Sequence, residues 1–426
     1  MRKPHWTAFE TTWKANNGQD TAYKPSSTDG YERIPSVSQG ATPKQAVVTF
    51  NGAFAWWQGL FNLMLHPAVS SAELFDSAYL NQLRPEYGAG PYKVSSVDFQ
   101  QGSVVFVPNE AWWGDPGKLE SVTCRVMEAQ ASLNAFLNGE VDVAAVVTKD
   151  SYTKVKAMDG VTIRTGRLPF TILYMLNSES DGLDDARVRE AIFRSIDRTT
   201  WSKVRYQGID YSETPPGSFL LFPFQEGYED NFSKACGYDP EKAAALLEEA
   251  GWAKNSSGIY EKDGTTLSLR LPLLGDDETM KAVTTALQSM LKDNGIEVTI
   301  QARATSEFSS VYTNKDFDIF AMSFAASDPF GVAYFKQIYG SDSTLNLSGT
   351  GTPELDEKIA ALQDIADETE QIKAANELEV EALKLFGIIP MANGPSKVAV
   401  KDGLVNVGAV GFGRYGIAKQ LIGWKA

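Results

Sequence analysis

Between Tyr92 and Val126 apolar and polar residues alternate as in an antiparallel sheet, and Tyr92–Val94, Ser103–Val107 and Val122–Val126 read as three strands. Gln101–Gly102 and Asp115–Pro116–Gly117 supply the turns between them. The spacing then becomes helical, with Leu133, Phe136 and Leu137 at i, i+3 and i+4 and Gly139 as the stop. Val141–Val147 follows as a buried strand interrupted only by Asp142.

Upstream, residues 1–18 have helix-like aromatic spacing, Ala46–Phe50 reads as a strand, and Trp56–Phe61 as the start of an apolar helix. Trp56 and Trp57 offer flat faces for a ligand or bulk for a core. Downstream of Thr148 strands and helices alternate. Thr171–Leu176 is a strand ending at Asn177, and Asp184 or Asp185 caps a helix carrying Val188, Ile192 and Ile196. Gly208–Asn231, rich in proline, glycine and aromatics, reads as a long surface loop.

Asp239–Pro240 opens a helix that Gly251 stops. A strand (Leu267–Leu271), a helix with Met280, Val283, Leu287 and Met290 on one face, and strands at Ile296–Ala302 and Phe317–Ser323 come next. Helices through Leu355, Ile359 and Leu362 and through Ile372, Ala375 and Leu378 precede an apolar run, Ile388–Met391. Such alternation predicts a mainly parallel, layered sheet.

Composition narrows the function. The 426 residues, 43% hydrophobic, suffice for two or three domains with a sizeable core. With 54 acidic against 39 basic residues the formal charge is −15, which removes the counterion-release drive for nucleic acid and is repelled by an anionic membrane. Cys124 and Cys236 fit neither a disulfide framework nor a metal-ligand spacing and are expected as buried free thiols. No stretch reaches the roughly 18 apolar residues of a membrane span, and the first thirty residues lack a signal peptide's apolar core.

Catalytic chemistry finds little material. His5 and His66 are the two histidines, and no GxSxG elbow, phosphate loop or HExxH pair occurs. Gly411–Gly416 matches GxGxxG, but the chain ends too soon for the helix and acid of a dinucleotide site, so these glycines read as turns. Asp184–Asp185 and Asp276–Asp277 fall at expected helix starts, where negative charge offsets the helix dipole. Neither an enzyme, a cofactor nor a metal is expected. The segment Asp318–Pro329 has most functional promise: a strand runs to its carboxyl end, and an acid before proline opens the next helix, where ligands commonly meet α/β sheets.

Several phrases resemble the extracellular solute-binding proteins of oligopeptide and dipeptide ABC importers, family 5 type. They are Gly88–Tyr92 (GAGPY) before a strand pair, Asn109–Trp113 with Gly114–Asp115–Pro116, and Asn138–Asp142. Further on come Leu183–Ile192, Ile196–Asp197–Arg198 and Tyr238–Trp252. The resemblance implies an α/β, two-lobed periplasmic-binding-protein-like fold of the peptide-binding type, with residues 1–66 a remnant of the outer part of lobe I and 67–147 its core. Lobe II then spans 148–392, and 393–426 returns to lobe I, with crossings near Val143–Thr148 and Met391–Pro395.

It also implies a monomeric, extracytoplasmic protein that captures an extended peptide between the lobes by strand-like main-chain bonding and presents it to membrane permease subunits. In the family a strand end offers its backbone and an aromatic residue to the peptide, and an aspartate pairs with the α-amino group. By position these are Phe324, with Ala325 and Ala326 as backbone, and Asp328, or Ser327 if the register is one residue off. Asp328 reads equally as a helix cap. Tyr174 and Asn177 are further candidates that core packing and strand termination also explain. The chain's start matches a family position well inside lobe I, so an N-terminal truncation that removes part of the cleft is expected. The alternatives are an oligosaccharide or metal-chelate binder of the same fold, or a truncated product that does not transport.

Overall fold

The computed structural model describes residues 5–425 apart from 26, 81, 327, 410 and 413–417. The chain divides into two compact units, the first formed by residues 1–168 and 395–426 and the second by 169–394.

The first unit opens with α1 (Trp6–Asn16), a hairpin of β1 (Ser36–Gln39) and β2 (Ala46–Thr49), and α2 (Ala72–Ser77). The apolar helix expected from Trp56 is a single 3-10 turn, Trp57–Gly59. Phe61 takes a left-handed φ of 57° with its N–H on the Tyr31 hydroxyl, a backbone that cannot continue a helix. Trp56 is buried, whereas Trp57 is 59% exposed.

The alternating stretch forms the expected meander. Strands β3 (Tyr92–Asp98), β4 (Ser103–Pro108) and β5 (Val122–Arg125) pair antiparallel in sequence order. Helix α3 (Ala129–Leu137) buries Leu133 and Phe136 against Ala144, Val146 and Val155, and Gly139 ends it at φ 78°. Cys124 stands exposed on β5, contrary to expectation, because that strand lies at the edge of a three-stranded sheet.

Strand β6 (Val143–Ala145), α4 (Lys149–Lys156) and β7 (Val161–Arg167) follow. The chain therefore leaves the first unit after Leu168, not at the expected Thr148. The reason is packing: Val155 of α4 joins the Leu133–Phe136 cluster.

In the second unit β8 (Phe170–Leu176) leads to α5 (Ala186–Arg194) and α6 (Arg198–Arg205), capped by Asp185 and Asp197. Then come α7 (Asn231–Ala235), α8 (Pro240–Glu249, capped by Asp239) and the short strands β9 (Ala253–Lys254), β10 (Tyr260–Lys262) and β11 (Thr265–Thr266). Strand β12 (Ser268–Leu274), α9 (Glu278–Asp293, capped by Asp277) and β13 (Glu297–Arg303) form a parallel β-α-β unit. After α10 (Phe308–Thr313) come β14 (Ile319–Ala325), α11 (Phe335–Tyr339), α12 (Pro353–Leu362), α13 (Glu368–Leu383) and β15 (Ile388–Ala392).

The expected mainly parallel sheet is not formed: among the described strands of the second unit the central three-stranded sheet is antiparallel and the parallel pair stands as a sheet of its own. Strand β8 lies between β14 and β15 and is antiparallel to both. Among the described strands the parallel pairing is β12 with β13, where a helical crossover joins neighbours. The chain then returns to the first unit, where β16 (Pro395–Lys401) lies between β6 and β7, and β17 (Leu404–Val405) pairs with β18 (Gly423–Trp424). The GxGxxG match at 411–416 falls largely outside the described residues.

The segment read as a surface loop is instead buried from Pro215 to Phe222. Its backbone escapes the usual penalty of burial because the carboxylate of Glu379 on α13 accepts the Phe219 N–H at 2.8 Å and the Ser218 hydroxyl at 2.6 Å.

Candidate functional site

The site is built on β14. In its antiparallel ladder with β8, Asn177 N–H donates to the Asp318 carbonyl at 3.0 Å and Ala326 N–H to the Pro169 carbonyl at 2.9 Å. Hydrogen-bonded pairs in such a ladder alternate, so the even positions 320–326 face β8, whereas the Asp318 N–H donates to the Arg270 carbonyl of β12 at 3.1 Å. The amide and carbonyl groups of Ser323 and Ala325 therefore point away from β8, and both residues are exposed. An edge of this kind can accept the main chain of another strand.

Phe324 lies between them, its ring edge-on to buried Phe219, which also meets Tyr339. Glu379 holds this arrangement. It is fully buried and accepts, besides Ser218 and Phe219, Asn231 Nδ2 at 2.7 Å and the Tyr339 hydroxyl at 2.8 Å. Burial pushes its carboxyl above the ordinary range despite these donors. The loop reaches the turn after β14 as well: Gln225 Nε2 donates to the Pro329 carbonyl at 2.9 Å. A Cβ on Gly331 would come within 1.7 Å of the Leu220 carbonyl, so this approach requires glycine.

Asp328 is 1% exposed. Its Oδ1 accepts the Phe330 N–H at 3.0 Å and its Oδ2 the Tyr334 hydroxyl at 2.8 Å. The carboxylate thus folds an Asx turn, and the next helical element is a 3-10 turn, Gly331–Tyr334, capped by Phe330. Ser327 lies outside the described residues.

The remaining candidates stand apart. Tyr174 is a core residue whose hydroxyl accepts Trp201 Nε1 at 3.2 Å, and burial pushes its phenol up to about 12. Asn177 lies at the opposite end of β8, about 20 Å from Thr171 at roughly 3.3 Å per residue. There its Nδ2 donates to the Phe317 carbonyl at 3.3 Å, on the rim of an open polar depression of about 1040 Å³. Arg270 on β12 anchors the start of β14 at that end, bonding Asp318 Oδ1 at 2.9 Å and Asp316 Oδ1 at 2.7 Å. The structure therefore brings Phe324, Ala325, Ala326 and Asp328 together and separates Tyr174 and Asn177 from them.

Residues 6–346 match the family model of bacterial extracellular solute-binding proteins, family 5 (middle). The chain belongs to this family. The family 5 chain is 33% identical over 414 residues to the oligopeptide-binding proteins OppA of Mycobacterium bovis and Mycobacterium tuberculosis, an alignment covering 96% of it and 69% of those relatives. Among solved structures, the periplasmic EDTA-binding protein EppA superposes with a TM-score of 0.86 at 22% identity, covering 99% of this chain and 82% of EppA. The oligopeptide-binding protein AppA of Bacillus subtilis, in complex with a nonapeptide, gives 0.79 at 19% identity, covering 98% and 83%. These likenesses show the two-lobed α/β fold expected of a family 5 solute-binding protein.

Signals for the supporting residues were weak in the sequence. Glu379 is one acid among several on an amphipathic helix, and the aromatics of Phe219–Phe222 sat in a stretch whose glycines and prolines suggested exposure.

Proposed function

We propose that this family 5 protein captures extended peptides along the outer edge of β14 and delivers them to the permease subunits of an ABC importer. It acts outside the cytoplasmic membrane, as a monomer, without catalysing a reaction. The observation that carries the reading is the outward backbone of Ser323 and Ala325, exposed at the carboxyl end of β14 with Phe324 supported between them. A peptide main chain pairs with such an edge whatever its side chains, which suits a carrier of mixed peptides. The identity to the mycobacterial oligopeptide-binding proteins across nearly the whole chain supports the same ligand class. In this proposal Asp328 takes the peptide α-ammonium at Oδ2 in exchange for the Tyr334 hydroxyl.

Calorimetric titration with unblocked penta- to nonapeptides tests it, using the wild type and Ala325→Pro. The proline removes an outward N–H and spares the ladder to β8, so the fold persists while binding weakens about tenfold or more. Absence of binding to the wild type, or equal affinity in the variant, overturns the reading. Mass spectrometry of molecules released from native protein separates the ligand classes: peptides support the proposal, and sugars or metal chelates replace it.

A further inference from the structure

Glu213 belongs to the second unit and lies beside the point where the chain leaves it. Its carboxylate accepts the N–H of Asn393 at 2.9 Å and of Gly394 at 3.0 Å, together with the hydroxyls of Tyr211 at 2.7 Å and Tyr206 at 3.2 Å. Two successive amides turned onto one anion make a small nest, filled here by the protein's own side chain. Gly394 is the last residue of the unit and has φ 83°. A Cβ at this position would come within 2.9 Å of the Tyr206 hydroxyl, so glycine is required on both counts.

Asn393 extends the connection to the other crossing. Its Nδ2 donates to the Phe170 carbonyl at 2.8 Å and to Thr171 Oγ1 at 2.9 Å, next to the point where the chain enters the unit. Pro395, the first residue of the return, has φ fixed by its ring, which leaves Gly394 as the freest rotation in the second crossing. The one carboxylate thus restrains the residue about which the crossing turns.

We propose that Glu213 is a positioning residue of the hinge: by holding Gly394 it limits the swing about the second crossing, and so lengthens the life of a peptide bound at β14. The second half of this statement rests on the peptide-binding reading; the first does not. Glu213→Gln keeps the shape, removes the charge that strengthens all four hydrogen bonds, and turns an amide N–H₂ toward donors.

The test uses the full chain labelled at exposed Cys124 in the first unit and at Glu241→Cys in the second, with inter-label distances measured by single-molecule energy transfer. Without ligand, Glu213→Gln widens the distance distribution, and Tyr211→Phe, which removes one donor, widens it less. A bound nonapeptide leaves the Glu213→Gln protein about tenfold faster. Distributions that superimpose on the wild type's overturn the hinge role, even if the melting temperature falls, since Glu213 would then only stabilise its loop. Should Glu213→Gln fail to fold, Tyr211→Phe decides alone. If the wild type binds no peptide, the peptide reading fails while the ligand-free distances still judge the hinge.

Discussion

The ring of Phe219 meets that of Phe324 edge-on, with centroids 5.9 Å apart and planes at 68°. One residue comes from the buried loop and the other from the β14 edge, so this contact couples the support to the proposed binding surface. An edge-to-face pair contributes about 0.5–1.5 kcal/mol beyond the area it buries. A double-mutant cycle with Phe219→Leu and Phe324→Leu, read by urea unfolding, is expected to give a coupling in that range. Additive single-variant effects would mean that the rings are neighbours without being partners.

Asp328 separates two roles. Asparagine keeps the oxygen that accepts the Phe330 N–H, so Asp328→Asn retains the Asx turn and most of the stability. If the carboxylate takes a peptide α-ammonium, the same change weakens binding by about 1.5–3 kcal/mol. N-acetylated peptides bind the wild type poorly, and the variant loses that discrimination. An undiminished preference for free amino termini in the variant would assign the anchor to another residue.

Glu379 gives a pH signature. Burial raises its carboxyl above the ordinary carboxylate range, so the folded state holds the proton more tightly than the unfolded chain. The stability contributed by this protonation is complete below the ordinary range and is lost as pH rises through the raised value. Glutamine has no such proton. The stability gap between wild type and Glu379→Gln is therefore expected to shift in favour of the variant from about pH 4 to about pH 8 in urea titrations. A shift the other way would show that the four donors outweigh burial.

The two thiols should differ sharply in reactivity. Cys124 is exposed on β5, whereas burial pushes the Cys236 thiol up to about 12. A maleimide at neutral pH should modify one thiol rapidly in the native protein and the second only after unfolding. Two equal fast phases would place Cys236 at the surface.

Local signals carried far along this chain. The meander from Tyr92 to Arg125, the aspartate caps at 185, 239 and 277, and the stops at Gly139 and Gly251 rest on neighbours within a few residues, and the structure has each of them. What the sequence hid is non-local. The burial of Pro215–Phe222 depends on Glu379, about 160 residues away, and no window around the loop contains that acceptor. The strand directions of the second unit depend likewise on which distant strands flank β8. At the site, the strand end carrying Phe324 and Ala325 was legible, but the Asx turn of Asp328 needed Tyr334 and the fold of the next turn.

The place of β8 between β14 and β15 also sets a timetable. The chain makes its central strand at Phe170–Leu176, yet the first neighbour, beginning at Ile319, emerges about 150 residues later. At roughly 5–20 residues per second this is an interval on the order of 10–30 s in which Ile172–Leu176, wholly buried in the finished protein, has no strand to pair with. The apolar strand at the heart of the second unit therefore completes its sheet only once β15, ending at Ala392, has been made, after nearly the whole chain has been synthesised.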